Sequence, residues 1–120
     1  KLEDRTILVI QDGEKTAIRR RPSRGLLAGL YEFPNVSGHL SKEETLEMIR
    51  EMNLDPLYIE PLPDAKHIFS HIEWRMTAYR VRVSSLEDNN RANLLFVSRK
   101  QSDRQYAIPS AFSAYTRYIE

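Results

Sequence analysis

The stretch Arg21-Pro-Ser-Arg-Gly-Leu-Leu-Ala-Gly-Leu-Tyr-Glu-Phe-Pro34 is the most informative part of this sequence. Proline and glycine interrupt regular structure, so the part from Arg19 to Gly25 predicts the end of a strand that runs into a loop. Tyr31-Glu-Phe33 then predicts a short strand that ends at Pro34. The densest cluster of positive charge also lies here, at Arg19, Arg20, Arg21 and Arg24.

The composition is typical of one folded domain without a strong overall charge. The chain has 120 residues, of which 41% are hydrophobic and 29% charged, and its formal net charge is +1. Any contact with nucleic acid must therefore be local, because no global cationic field would attract it. The absence of cysteine excludes disulfides, thiolate metal sites and iron–sulfur clusters within this chain. No apolar run approaches the roughly 20 residues of a membrane span, so we expect no membrane contact.

Two hairpins are predicted on either side of the middle of the chain. Thr6–Ile10 is apolar on both faces, as a central strand is, and the turn signal Asp12-Gly13 separates it from a second strand at Thr16–Ile18. Lys66–Ser70 and Trp74–Val83 predict the second hairpin.

One helix has a clear start signal. Ser41-Lys-Glu-Glu44 has the pattern of a capping box and predicts a helix over residues 41–52. Its apolar residues fall on one arc, which should pack on a sheet: Leu46, Met48, Ile49 and Met52. Asn53 suits the left-handed end of the helix, and the Pro-rich stretch Pro56–Pro63 follows before the second hairpin.

The last third of the chain predicts a loop, a strand and a helix. The polar segment 84–93 is typical of a loop, and Leu94–Ser98 predicts a short strand. Ser110 is expected to cap a terminal helix that contains Phe112, Tyr115 and Ile119. Together these elements predict an α+β fold, arranged as an α/β/α sandwich around a mixed β-sheet.

Two motifs resemble those of a known family. The segment 21–34 resembles the Arg-Pro…Gly-Leu-Leu-Ala-Gly-Leu-Trp-Glu-Phe-Pro signature of the C-terminal, Nudix-like domain of MutY-family adenine DNA glycosylases, with Tyr31 where tryptophan is usual. His67-Ile-Phe-Ser-His-Ile-Glu-Trp74 is similar to the Phe-Ser-His loop by which that family senses 8-oxoguanine, and Ala107-Ile-Pro109 also fits. The resemblance extends over essentially the whole chain.

The resemblance implies a single Nudix-like lesion-recognition domain over residues 1–120, as a fragment of a longer glycosylase. Its partners would be double-stranded DNA with 8-oxoguanine opposite adenine, and the N-terminal catalytic domain of the same polypeptide. In the family, that absent domain carries the adenine-excising carboxylates and an iron–sulfur cluster. We expect this domain to hold no cofactor, to have no catalytic residue, to be monomeric, and to work in the bacterial cytoplasm at the nucleoid.

The residues that would contact DNA follow from the two motifs. The resemblance implies that Phe69, Ser70 and His71 recognise the lesion, and a serine hydroxyl can both donate and accept a hydrogen bond there. Arg21 and Arg24 would contact phosphates. From the residues alone, Ser70 is better explained as an ordinary turn residue. The arginines are equally well explained as a solvated strand end.

Nudix hydrolases bind metal through Gly-x5-Glu-x7-Arg-Glu-U-x-Glu-Glu-x-Gly-U, and this pattern is broken here. Gly38 and Glu44 match the first spacing, but Met52 and Asn53 then stand where the Arg-Glu pair belongs. Alignment on the helix instead places Leu46 at the arginine and Arg50 at a carboxylate, with Glu47 and Glu51 at two other acidic positions; a cation there repels a metal ion. We therefore expect no metal site. The alternatives are a Nudix hydrolase of oxidised nucleoside triphosphates and a protein-docking scaffold that uses segment 84–93.

Overall fold

A mixed β-sheet forms the centre of the computed structural model, which describes residues 1–86 and 93–119. The elements, in chain order, are β1 (Leu2–Asp12), β2 (Lys15–Arg20), β3 (Tyr31–Glu32), β4 (Asn35–Ser37), α1 (Lys42–Glu51), β5 (Pro56–Ile68), β6 (Glu73–Val83), β7 (Leu95–Val97), α2 (Arg99–Gln105), a 3₁₀ helix (Ser110–Phe112) and α3 (Ser113–Thr116). Among the residues described, none of the helices could span a membrane.

The sheet combines one parallel pair with antiparallel neighbours. Its main path runs β3-β2-β1-β6-β5, with β4 on β1 and β7 on β2. β1 and β6 are parallel in a continuous register from Leu2 opposite Glu73 to Gln11 opposite Arg82. The other pairs are antiparallel. The central strand predicted at residues 6–10 is confirmed, since Ile7, Leu8, Val9 and Ile10 are all buried.

Helices cover both faces of the sheet. On one face Ile49 of α1 packs in a cluster with Leu8 and Val81. On the other face Phe112 and Tyr115 of the terminal helices pack in a cluster with Ile7 and Trp74. These layers confirm the α+β class and the predicted α/β/α sandwich.

The predicted capping box is present at the start of α1. The Ser41 hydroxyl accepts a hydrogen bond from the Glu44 amide at 3.1 Å, and the Glu44 carboxylate accepts one from the Ser41 amide at 2.8 Å. Asn53 has a φ of 62°, as expected for a left-handed helix end. Thr45 lies beside Ile49 on the buried face and was not on the predicted apolar arc; its hydroxyl donates to the Ser41 carbonyl.

The second hairpin has a longer first strand than predicted. β5 begins at Pro56, so the stretch Pro56–Pro63 belongs to the strand and is not a connection before it. β5 is an edge strand, where prolines are tolerated because outward-facing amides have no partner. It ends at Ile68, so the expected strand over Lys66–Ser70 is too long, and Phe69 and Ser70 belong to the turn.

Two further differences lie near the C-terminus. α2 was not predicted, because its sequence is almost wholly polar and buries only Ser102. Ser110 does not cap a helix: it is already the first residue of the 3₁₀ helix and makes no side-chain cap hydrogen bond, so that prediction is wrong. Phe112 and Tyr115 lie in the terminal helices as predicted, whereas Ile119 follows the end of α3; all three side chains are buried. Of the expected loop 84–93, residues 87–92 lie outside the described part of the chain.

Candidate functional site

The Phe-Ser-His sequence lies at the tip of the β5–β6 hairpin. Ile68 opposite Glu73 is the last strand pair, and the Phe69 amide donates to the Ile72 carbonyl at 2.7 Å, which closes the turn. Ser70 and His71 are exposed in this turn. Within residues 1–86 and 93–119, no hydrogen bond engages the Ser70 hydroxyl, which is therefore available to a ligand.

A surface pocket of about 460 Å³ opens beside this turn, and we call it the tip pocket. Its lining is mostly apolar, with the polar groups of the turn at its edge: Leu26, Ile68, Phe69, Ser70, His71 and Ile72. Ile68 is 64% exposed, which is unusual for isoleucine at a strand end. The structure thus brings the three predicted lesion contacts together with two apolar neighbours, Leu26 and Ile68.

Leu26 and Ile68 were not among the predicted site residues. Leu26 belongs to the Gly-Leu-Leu-Ala-Gly-Leu run, which carried the resemblance but gave no side-chain role. Ile68 directly precedes the Phe-Ser-His sequence. Its place in a strand predicted only that its side chain lies on one of the two alternating faces, not that it lines a pocket. The signal for both was present in the two motifs, but only the fold shows that the motifs meet.

Aromatic rings support the turn from below. The ring of Phe69 lies 5.1 Å from that of Trp74 and 4.6 Å from that of His67, in both cases edge to face. Trp74 is 1% exposed, and the centre of its ring lies 5.6 Å from that of Phe112. Trp74 is therefore a core residue, and Phe69 links the exposed turn to that core.

Arg21 is largely withdrawn from solvent. Its side chain is 14% exposed, and its Nη1 lies 2.5 Å from Oε1 of Glu32. Glu32 also accepts hydrogen bonds from Arg19 at 2.9 Å and from Asn35 at 2.8 Å. Burial lowers the pKa of the nearby Arg5 guanidinium, and the positive charge of Arg21 lowers it further. A buried carboxylate therefore holds Arg21, and its contact with phosphate stays a prediction.

Arg24 and Arg20 have different surroundings from Arg21. Arg24 is exposed in the loop of residues 22–30, which we call the signature loop and which also supplies Leu26. Arg20 is exposed and its Nε donates to the Gly29 carbonyl of the same loop at 3.0 Å. The positive cluster in the sequence is thus divided, with Arg19 and Arg21 turned towards Glu32 and Arg24 left in solvent.

The acidic residues of α1 lie at the protein surface. Glu43, Glu44, Glu47 and Glu51 are exposed, and Glu44 is engaged in the capping box. Arg50 is the basic residue of the last turn, and among the described residues no three His, Cys, Asp or Glu side chains are grouped as metal ligands. The donor set needed for a hard divalent cation does not fit these residues.

A mixed sheet with helices on both faces and a capped helix after β4 defines this chain as a Nudix-type α+β domain. The family model described as "NUDIX domain" matches residues 5–118, so the chain belongs to the NUDIX family.

Solved structures with this fold include both binding domains and hydrolases. The C-terminal domain of mouse MUTYH, solved in complex with human PCNA, is 19% identical with a TM-score of 0.69, over 97% of this chain and 88% of that one. A NUDIX hydrolase from Nitrosomonas europaea is 12% identical with a TM-score of 0.68, over 98% and 88%. The MutT protein from Bacillus halodurans is 14% identical with a TM-score of 0.65, over 96% and 80%. At such identities the likeness is one of fold.

Proposed function

We propose that this chain is the lesion-recognition domain of a MutY-type adenine DNA glycosylase, and that it senses 8-oxoguanine opposite adenine. The observation that carries the proposal is the exposed Ser70 at the hairpin tip, with a free hydroxyl beside the tip pocket. The similarity of its fold to the MUTYH C-terminal domain supports the proposal. The Gly-Leu-Leu-Ala-Gly-Leu run and the Phe-Ser-His loop are the sequence features that favour a MutY-type domain over other Nudix-type domains.

The chemistry of the oxidised base matches the chemistry of this turn. Oxidation at C8 adds a carbonyl oxygen, which accepts a hydrogen bond, and converts N7 from an acceptor into a donor. The Ser70 hydroxyl can accept from N7–H while it or a turn amide donates to the new oxygen. An unmodified guanine offers the opposite pattern at N7 and no oxygen at C8. The same turn would therefore discriminate between the two bases.

The neighbouring residues have supporting roles in this proposal. Phe69 anchors the turn on Trp74, and His71 faces the duplex from the exposed side. Arg24 contacts phosphate from the signature loop, and Arg21 is the second proposed DNA residue. Adenine excision and the iron–sulfur cluster would belong to an N-terminal domain of the same polypeptide, in the bacterial cytoplasm at the nucleoid.

A Nudix hydrolase of oxidised nucleoside triphosphates is the second candidate, because a NUDIX hydrolase shares this fold. The residues of α1 argue against it, since Leu46 and Arg50 stand at positions that need an arginine and a carboxylate. A docking role is the third candidate: MUTYH was solved with PCNA, a protein partner. The segment expected to serve that role is mostly outside the described residues.

The test is a competition between 8-oxoguanine:adenine and guanine:adenine duplexes, with the full-length protein that carries this domain. Ser70→Ala should lower the lesion preference by about 1 kcal/mol, the low end for one base-edge hydrogen bond, because turn amides share the contact. Replacing Phe69 and His71 by alanine as well should lower it further, while the single-turnover rate at saturating enzyme stays near normal.

The matched control is Ser113→Ala, which removes an exposed hydroxyl outside the hairpin and should leave the preference unchanged. If the triple variant keeps full lesion preference, residues 69–71 do not recognise the lesion. The docking candidate would then be favoured over DNA recognition.

A further inference from the structure

We propose that Arg21 is a positioning residue that fixes the relative position of the two walls of the tip pocket, Leu26 and Phe69. The inference rests on the proposed function for its effect on lesion choice, but the physical link it describes is independent of any DNA. Arg21 reaches one wall through the signature loop and the other through Trp74. Its role is thus to make the two sequence motifs act as one site.

The first wall is Leu26, and Arg21 fixes the loop that carries it. The Arg21 Nε donates to the Leu26 carbonyl at 2.9 Å, and the Arg21 amide donates to the Leu30 carbonyl at 2.7 Å. Arg21 therefore closes the signature loop from both its side chain and its backbone. A loop tied to one arginine at two points has little freedom to carry Leu26 away from the pocket.

The second wall is Phe69, and Arg21 reaches it through Trp74. The Arg21 guanidinium carbon lies 5.5 Å from the centre of the Trp74 ring, within the range of a cation–π contact. Among the described residues the buried Trp74 Nε1 has no hydrogen-bond partner, so ring packing and the guanidinium contacts of Arg21 and of Arg5, at 5.4 Å, orient the indole. Phe69 contacts that indole at 5.1 Å. Displacement of the Arg21 guanidinium would therefore shift the Trp74 indole and, with it, the position of the Phe69 ring.

Glu32 sets the orientation of Arg21 without depending on it. Arg19 and Asn35 also donate to this buried carboxylate, so its charge keeps two partners when Arg21 is changed. Lysine at position 21 would keep a positive charge near Glu32. It would lose the planar face over Trp74 and the fork of donors that reaches Glu32 and Leu26 together. Arg21→Lys thus separates positioning from charge.

The experiment uses the fact that Trp74 is the single tryptophan of the chain. In Arg21→Lys, acrylamide quenching of Trp74 fluorescence and amide hydrogen exchange at Phe69 should both rise, with no DNA present and with the far-ultraviolet circular dichroism unchanged. The matched control is Arg20→Lys, which alters an exposed arginine that also bonds a signature-loop carbonyl. It should leave both measurements as in the parent protein. Equal effects of the two substitutions, or no effect of Arg21→Lys, would overturn the proposal.

A second variant tests the link from the opposite wall. Phe69→Leu removes the ring contact and leaves Arg21 in place, and exchange at the signature-loop amides of Gly29 and Leu30 should then rise. Unchanged exchange there overturns the link, even where Arg21→Lys does not fold.

Lesion preference separates this proposal from the proposed function. Arg21→Lys should reduce the preference for 8-oxoguanine:adenine about fivefold in the full-length protein, the effect of about one misplaced hydrogen bond. Loss of preference in Ser70→Ala but not in Arg21→Lys overturns the positioning role alone. If quenching and exchange change in Arg21→Lys, the link between Arg21 and both pocket walls is supported. If lesion preference is nevertheless retained in the Ser70→Ala and triple variants, the proposed lesion recognition is refuted.

Discussion

The hydroxyl of Tyr115 donates a hydrogen bond to the Pro63 carbonyl at 2.9 Å, and this bond ties the terminal helices to the edge strand β5. Tyr115 is fully buried, and burial raises its pKa to about 12. The folded pKa is thus above the unfolded one, so the stability from this tyrosine is present below pH 10. It is lost as the pH rises towards 12.

Tyr115→Phe should therefore change both the level and the pH profile of stability. At neutral pH the free energy of unfolding should fall by about 1 kcal/mol, the net value of one hydrogen bond. Urea titrations between pH 9 and about 11 should show a flatter decline than in the parent protein. Tyr58→Phe, at an exposed position, is the control and should keep the parent slope. A parent slope in Tyr115→Phe would contradict the assignment.

The hydrogen bond between Glu60 and Arg80 should make stability depend on pH in the acid range. Arg80 donates to Glu60 from Nε at 2.7 Å, and this hydrogen bond lowers the pKa of the Glu60 carboxyl. Because the folded pKa lies below the unfolded one, the contribution is present above the unfolded pKa and is lost as the pH falls through the folded value. Glu60→Gln should destabilise the domain by up to about 1 kcal/mol at pH 7 and hardly at all at pH about 2.5. Glu14→Gln, in the exposed β1–β2 turn, should change neither value.

Metal-dependent hydrolysis should be absent. Arg50 repels a divalent cation from the face where the other carboxylates would bind it, so magnesium should not promote pyrophosphate release from 8-oxo-dGTP. The measurement is product release with and without magnesium, using the parent protein and Glu47→Gln. Magnesium-dependent release that Glu47→Gln abolishes would establish the hydrolase in place of the lesion reader.

Duplex binding by this chain alone should be weak and should disappear at high salt. Of the clustered arginines, Arg19 and Arg21 already share the charge of Glu32, so the cluster has few unpaired charges with which to release counterions from DNA. Arg24→Gln should reduce the slope of log affinity against log salt by about 1. Arg50→Gln, on the opposite face of the sheet, should leave the slope unchanged. Tight binding that persists at high salt would show that apolar or base contacts dominate.

The sequence predicted those parts of the fold whose local signals agree with their burial. The capping box at Ser41 and the apolar strand at Ile7–Ile10 are such cases, because local hydrogen bonds and two-sided burial leave direct marks in the residue types. β5 was partly missed because Pro56, Pro61 and Pro63 usually break strands, and only its edge position makes them harmless. α2 was missed because a polar helix has no apolar periodicity.

The candidate site was predictable as residues but not as an arrangement. The motifs named Phe69, Ser70 and His71, and the hairpin tip follows from their place between two strands. That Leu26 joins them depends on the pairing of β1 with β6, which no local pattern encodes. The pairing of Arg21 with Glu32 was also unforeseen, since a run of arginines resembles a solvated surface until a buried carboxylate is placed beside it.

The parallel pairing of β1 with β6 constrains how the domain folds. Each residue of β1 pairs with one that lies 71 positions further along the chain. The central pair can therefore form only after β6 (Glu73–Val83) has left the ribosome, and closing so long a loop is slow. Until then the apolar run Ile7–Ile10 has only β2 and β4 as possible neighbours, and an unpaired apolar strand invites association between nascent chains. We expect conditions that slow synthesis or crowd nascent chains to lower the yield of folded domain more than its thermodynamic stability indicates.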